Sequence, residues 1–471
     1  MGEQSREKHM IGRLGMLALG SILGGALLCG SAAAESKARI VRLSEVQGSV
    51  QMDRDTGDGF EKAFLNMPVI EGTRLKTGDD GRVEVEFEDG SALRIVPKSE
   101  VNFTHLALGD DGRKLSTVQL TEGTLYVNVR GQKGDTFTVN FGSESITLSE
   151  PAHFRLDLTN DEATLAVFKG RVDVSGQSGP VEVSEKHSAT FDVHSDRYEV
   201  AKNYEEDPYD DWDKQQSEYH DRYATAHNDV SSPYAYGFSD LNYYGSYFAV
   251  PGYGMVWQPY FLDASWNPYM DGGWVWYPGY GYMWVSAYPW GWMPYRYGNW
   301  NFLPGYGWVW QPGYWNTWYA VPRVVNPPAR TVIPQPPVRT RTTVMIGRGL
   351  AVNPVAGPPR RITITPGSAG LGVPRGSVRN LDRFAHEVNK SERPVEVKTE
   401  PSALVAPAPR ATDVYTGKTT NHPSSGSSVG SPPARGTETP RATPAPAPRM
   451  SSPPAPRMPS PAPPARSSTP H

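Results

Sequence analysis

Three copies of Pro-Gly-Tyr-Gly-x-x-Trp, at 251–257, 278–284 and 304–310, recur at offsets of 27 and 26 residues. A second signature, Trp-x-Pro-Tyr-x-x-Gly-x-Trp, occupies 266–274 and 292–300, again 26 apart. Two interleaved motifs with one period mark a true internal repeat. Each Pro-Gly-Tyr-Gly lies between short aromatic-rich runs, which is the signal of a β-hairpin. A three-residue loop puts Gly254, Gly281 and Gly307 in the left-handed backbone region, which glycine alone enters without steric cost.

That loop fixes the faces. Tyr247, Trp274, Trp276, Trp300 and Phe302 then share a side with Met255, Trp257, Tyr282, Trp284, Trp308 and Trp310. Phe248, Val250, Val256, Val275, Met283, Leu303 and Val309 take the other, and a one-residue slip would mix the two sets. Residues 247–319 hold 12 Trp, 13 Tyr and 3 Phe against three charges, Asp263, Asp271 and Arg296. A segment this small has too much surface for its volume to hide every ring in a core of its own. Three outcomes stay open: the rings are core, packed in part on another domain; they form a contact surface; or they drive self-association. The candidate contact residues are Trp257, Trp274, Trp276, Tyr282, Trp284, Trp300, Trp308 and Trp310. Such rings offer large, rigid area with a polar tip, and contiguous exposed patches of them mark interaction sites. The partners this suits are an envelope glycan or another envelope protein.

The envelope enters through the first 34 residues. Arg6, Lys8 and Arg13 precede an apolar run from Leu14 to Leu28, and Ala32-Ala33-Ala34 has the small-x-small pattern of a signal-peptide cleavage site, placed after Ala34. The run falls short of the roughly 20 residues that span a bilayer; the rival reading is an uncleaved anchor. The single cysteine, Cys29, lies in this leader, so the exported chain is expected to have no disulfide and no stable membrane span. Its location is then the periplasm or cell surface of a bacterium. From Arg323 onward there are 20 Lys+Arg against 7 Asp+Glu, leaving residues 35–322 at −18. Platforms that stack nucleic-acid bases sit in basic grooves, so this acidic body excludes nucleic acid.

Residues 40–200 read as all-β. "GRVEVEF" (81–87), "SALRIVP" (91–97), "GTLYVNV" (123–129), "TFTVNF" (136–141), "AHFRLDL" (152–158) and "ATLAVFKGRVDV" (163–174) alternate apolar with polar residues between turn signals. This predicts an antiparallel sandwich or roll with one face wet. Gly48-Ser49-Val50, "LKTGDDGRVEVEFEDGS" (75–91), "LTEGTLYVNV" (120–129) and "VFKGRVDVS" (167–175) resemble the periplasmic domain of FecR-type proteins. The resemblance implies that fold and an envelope location. In FecR-type regulators a sigma-factor-binding segment and a membrane helix precede this domain; with 13 residues before the apolar run, that segment is expected to be absent. The Tyr/Trp/Gly-rich zone, 246–320, resembles segments that follow FecR-like domains in other exported bacterial proteins, a likeness that brings no activity.

Residues 203–245 are acidic and read as a solvated linker with one short helix near 210–227; Asp207, Asp210, Asp211 and Asp213 lack the spacing of a cation loop. Residues 323–471 are rich in Pro, Ser, Ala and Arg, repeat "APRM" at 447–450 and 455–458, and read as a disordered basic tail with polyproline II character. Metal, phosphate-loop and dinucleotide motifs are absent. "GSSVG" (426–430) lacks the strand and helix that a nucleophile elbow requires. No cofactor and no enzyme activity are expected. The leading expectation is a non-catalytic envelope binding or scaffold protein; the alternative is a FecR-type signalling component that senses a partner.

Overall fold

Short runs of Val, Leu, Ile and Phe alternating with polar residues form strands because alternate side chains point to opposite faces. In the computed structural model, which describes residues 39–400 apart from 177–178, 196, 225–229, 339–342 and 351–360, they build a two-sheet fold up to Ala201. The leader with Ala34 and the chain beyond residue 400 lie outside the described residues. The described residues fall within one unit, which ends at Ala411.

The strand Lys114–Val129 belongs to both sheets. Its first half pairs with Glu100–Leu108 and, in parallel, with Thr136–Phe141; its second half pairs with Ala92–Ile95 and Ala152–Leu158. Gly123 sits at the crossing with φ 86°, and an added Cβ would lie 2.3 Å from Ser99 Oγ and 2.5 Å from Lys98 O. The bend therefore requires glycine at that position.

One face of the second sheet departs from expectation. The strands Val41–Gln47, Arg82–Glu86 and Ala92–Ile95 are buried at every residue. Val41, Leu43, Val83, Val85, Leu93 and Ile95 enter the apolar core. The intervening Arg42, Ser44, Glu84, Glu86 and Arg94, which read as a wet face, are also buried. The solvated linker of the sequence reading covers them. Helix α1 (Asp210–Ala224) opens with Asp210, Asp211 and Asp213, charges that suit a helix N-terminus, and buries Trp212, Asp213, Gln216, Tyr219 and His220 along one stripe. Helix α2 (Phe238–Tyr244) adds buried Asp240 and Leu241.

The three hairpins follow, Gly245–Val250 with Gly254–Pro259, Gly272–Tyr277 with Gly281–Ser286, and Asn299–Leu303 with Gly307–Gln311; a short helix, α3 (Met293–Arg296), precedes the third. The first and third share a sheet through Trp257 and Trp310, while the second pairs with Val344–Ile346. Among the described residues from 361 to 400 the disordered-tail reading is corrected. The segment holds a hairpin, Arg361–Ile364 with Val395–Lys398, and helix α4 (Leu381–Ser391). The irregular chain between them is held by side chains from elsewhere. Trp290 Nε1 donates to Ala369 O (2.7 Å), Tyr244 Oη to Val373 O (2.9 Å) and Tyr243 Oη to Val378 O (3.1 Å).

Candidate functional site

At each hairpin tip the last residue of the first strand pairs with the glycine that closes the loop, as in Val250 with Gly254. Gly254, Gly281 and Gly307 have φ of 74°, 75° and 78°, and Gly252, Gly279 and Gly305 are positive as well. Tyr253 N–H donates to Val250 O, with equivalents at Tyr280 and Tyr306. Proline followed by a positive-φ glycine under such a bond is a type II turn, so both glycines of each motif are conformationally required. Open space surrounds all six, so backbone angle rather than crowding selects glycine there.

Trp257, Trp284 and Trp310 stand opposite Tyr247, Trp274 and Trp300, the pairing that gathers the rings on one side. Each of the first three also lies over a glycine twelve residues earlier. A Cβ on Gly245, Gly272 or Gly298 would come within 2.7 Å of the indole above it. This explains the glycine of the second signature: it is the seat of a tryptophan.

Of the candidate contact residues, Trp257, Trp274, Trp284, Trp300, Trp308 and Trp310 are buried, and Trp276 and Tyr282 are half-buried. The aromatic face is therefore largely core. Trp284, for instance, meets Tyr269 and Trp274 edge-on at 5.0 and 5.2 Å. The aliphatic face is covered too, Val250, Val256, Leu303 and Val309 clustering between the first and third hairpins. The second hairpin docks on the FecR-like strands: Tyr277 Oη donates to Pro68 O (2.8 Å), Arg54 donates to Trp276 O, and Asn66 Nδ2 donates to Tyr288 O (2.7 Å). Arg296 lies buried between the rings of Trp292 and Trp318 and donates to Trp284 O (2.5 Å); burial lowers its guanidinium to about 10.

Tyr253, Tyr306 and Tyr314 stay exposed, and Tyr306 stands at a cleft on the third hairpin. A cleft of about 850 Å³ is floored by Trp266, Phe302 and Trp308 and rimmed by Tyr306, Asp263 and Glu392. Phe302 and Trp308 are cross-strand partners, edge-to-face at 5.5 Å. Tyr306 is 46% exposed, yet one face of its ring stacks on Phe248 at 5.8 Å, so it is held in place while open to solvent. Gln258 Nε2 ties the first hairpin to this wall by donating to Tyr306 O (2.8 Å) and Trp308 O (2.9 Å). Sequence reasoning found Trp308 but missed Tyr306, although the tip tyrosine of Pro-Gly-Tyr-Gly was the available signal.

A second polar concentration is sealed. Glu84 accepts from Arg94 Nε (2.8 Å) and Arg375 Nη1 (2.7 Å) and meets His220 Nε2 at 2.9 Å. Asp240 pairs with Arg42 and with Arg375 Nε (3.1 Å) and accepts from Tyr219 Oη (2.9 Å). Burial alone would raise the Glu84 carboxyl, but His220, Arg94 and Arg375 hold it well below the usual carboxylate range. Asp240 is lowered too, Arg375 and Arg42 outweighing its burial, whereas burial pushes Glu45 up. Ser239 Oγ, His220 and Glu84 line up by residue type as a nucleophilic triad, at 3.2 and 2.9 Å. All three are buried, so the arrangement is an ion-pair core that joins the β domain, the helices and the segment around Arg375.

The acidic run of α1 borders an open cleft of about 460 Å³, but Asp207, Asp210 and Asp213 are committed. Asp207 and Asp210 accept from Tyr126 Oη (2.9 and 2.8 Å), Asp210 also pairs with Arg155, and Asp213 pairs with Arg94 and His153. No group of three or more potential metal ligands occurs among the described residues.

Residues 73–173 match the family described as FecR protein, and residues 238–331 match a family of unknown function, DUF6600. The chain thus carries a FecR domain followed by a DUF6600 segment. No curated protein matches it. Among solved structures it is similar to two crystal structures of a protein assigned as an anti-sigma factor from Parabacteroides distasonis, at 14% and 13% identity, each with a TM-score of 0.25. Each likeness covers 28% of this chain, which spans 59% of the length of those proteins. No helix among the described residues is long and apolar enough to cross a membrane.

Proposed function

We propose that this is a non-catalytic, exported protein of the bacterial cell envelope, a binding or scaffold component in which the FecR-like domain and the aromatic module act as one body. The observation that carries the reading is the cleft at the third hairpin, where exposed Tyr306 and half-buried Phe302 border largely buried indoles and meet polar rim groups. Clefts of this make-up, apolar with a few polar groups, are where ligands are most often received. A protein partner suits it best, because FecR-type proteins work through other proteins. The sealed Ser239, His220 and Glu84 offer no access to a substrate, in keeping with a role without catalysis. A second reading, a FecR-type signalling component, is favoured by the family match over 73–173. Glycan contact is the narrower possibility for the same cleft.

The test is to express the full chain with Tyr306→Ala and unmodified, fractionate the cells, and measure binding of peptidoglycan, soluble glycans and envelope proteins. Envelope recovery, with binding lost in Tyr306→Ala at unchanged melting temperature, is expected. Cytoplasmic recovery, or binding indifferent to Tyr306, would refute the reading.

A further inference from the structure

The cleft carries a charge pattern that narrows its occupant. Asp263 and Glu392 are the charged residues of its lining, and neither Lys nor Arg contributes. Anionic polymers are therefore disfavoured and a cation is welcome at the rim. Flat rings beside carboxylates are the recognition surface for proline-rich segments that carry arginine: proline presents a preformed extended helix to aromatic grooves, and arginine pairs with the acid.

This chain contains such segments. Pro-Ala-Pro-Arg occurs at 407–410, 446–449 and 454–457. Residues 401–471 hold 18 prolines and seven Lys+Arg against two Asp+Glu. In a polyproline II helix, with three residues per turn, the first proline and the arginine of this motif fall on the same edge. The motif can thus set a proline on a ring and a guanidinium on a carboxylate at once. The nearest copy follows closely on the strand that leaves the cleft rim. Glu392 on the cleft rim is followed by the strand Val395–Lys398, and Glu400 N–H donates to Ser377 O (2.9 Å). Pro407 lies seven residues on from Glu400, a reach of up to about 24 Å when extended.

We propose that the cleft walled by Tyr306, Phe302 and Trp308 is a proline-recognition site whose occupant is Pro407–Arg410 of this same chain, its arginine reaching Asp263 and Glu392. The proposal rests on the cleft's being a contact site and names what fills it. The site is then self-occupied, and any outside partner competes with a segment tethered nearby at an effective concentration that short linkers hold in the millimolar range.

Two measurements on the full chain test it. In the first, Tyr306→p-benzoylphenylalanine is irradiated and the adducts are mapped by mass spectrometry. An intramolecular adduct to a peptide containing Pro407–Arg410 is expected. Adducts to stretches of the chain that lack Pro-Ala-Pro-Arg overturn the proposal. Adducts to a glycan also overturn it while leaving the cleft a contact site, and no adduct with any component sinks both readings. In the second, a labelled peptide of residues 405–412, VAPAPRAT, is titrated into a chain with Arg410→Ala, Arg449→Ala and Arg457→Ala. The peptide should bind at least about tenfold tighter than to the unmodified chain, and Glu392→Gln should weaken it about tenfold, the scale of one charge-assisted bond. Equal binding to both chains, or none to either while chitotetraose binds, overturns the proposal. Glu392 is exposed, so its variant should fold normally, and an unchanged melting temperature checks this.

Discussion

Replacing Arg375 by alanine tests whether the segment 365–380 is integral to the fold. Its guanidinium donates to Asp240 (3.1 Å), Glu84 (2.7 Å), Gln216 (3.2 Å) and Ser44 O (2.5 Å), and it lies 5.0 Å from the ring centre of Tyr219. Truncation leaves Arg42 and Arg94 as the guanidiniums facing buried Glu84, Glu86, Asp213 and Asp240. Breaking one partner out of a buried pair costs about 3–5 kcal/mol, a large share of the roughly 5–15 kcal/mol that holds a domain. Arg375→Lys keeps the charge but not the planar fork, so a loss of about 1.5–3 kcal/mol is expected. Arg375→Met with Asp240→Asn removes one charge of each sign and should cost less than the sum of the single changes. Urea unfolding of the full chain, followed by circular dichroism and tryptophan fluorescence, reads these values, and limited proteolysis reads the exposure of 366–378. If Arg375→Ala costs under about 1 kcal/mol and leaves the segment protected, the ion core is not what fastens it.

Trp284→Ala should destabilise by about 3–5 kcal/mol, as for other buried tryptophans, and calorimetry would show it as a lowered melting temperature. Gly279→Ala, in open space, should cost only about 1 kcal/mol from its left-handed backbone. Gly272→Ala should cost more, because a Cβ would meet Trp284 Cζ2 and Val285 O at 2.6 Å; equal losses in the two variants would refute the seat. The carboxyls of Glu84, Asp213 and Asp240 lie below their ordinary values in the folded chain, so they stabilise above about pH 4 and that stability is lost as pH falls through their folded values. Glu45, raised by burial, acts in the opposite sense, stabilising at low pH and losing that contribution as pH rises through its folded value. Glu84→Gln should therefore flatten the fall of stability below about pH 4, and an unchanged slope would refute the assignment.

The hairpins were legible because strand alternation and Pro-Gly-Tyr-Gly act locally: the pairing of Trp274 with Trp284 follows from the loop alone. What covers a strand is not local. Arg42, Glu84, Glu86 and Arg94 alternate with apolar neighbours just as solvent-facing charges would, and only the helices and Arg375 laid over them make that face interior. Helix α1 was readable as a helix, but its stripe of Asp213, Gln216 and His220 is too polar to look like a buried face. The stretch around Arg375 reads as disordered in the sequence for a similar reason. Pro-Gly-Ser-Ala-Gly has no periodicity, and its order comes from tyrosine, tryptophan and acidic partners more than a hundred residues away, apart from Trp290.

That dependence accounts for the composition with which the repeat began. An irregular segment brought inside a protein carries backbone carbonyls that must be satisfied, since each left unpaired costs about 1–3 kcal/mol. Leucine or valine could fill the same volume but could donate nothing. Tyrosine and tryptophan supply apolar area and one donor apiece, and Tyr243, Tyr244, Trp257, Trp290 and Trp310 each spend that donor on a main-chain carbonyl. Twenty-eight rings in a small module are then neither surplus nor mainly a platform: many are core, and some of them also tie a glycine- and proline-rich chain through its carbonyls. Of the rings left exposed, Tyr306 is the one that stands at the wall of a cleft, where it can meet something else.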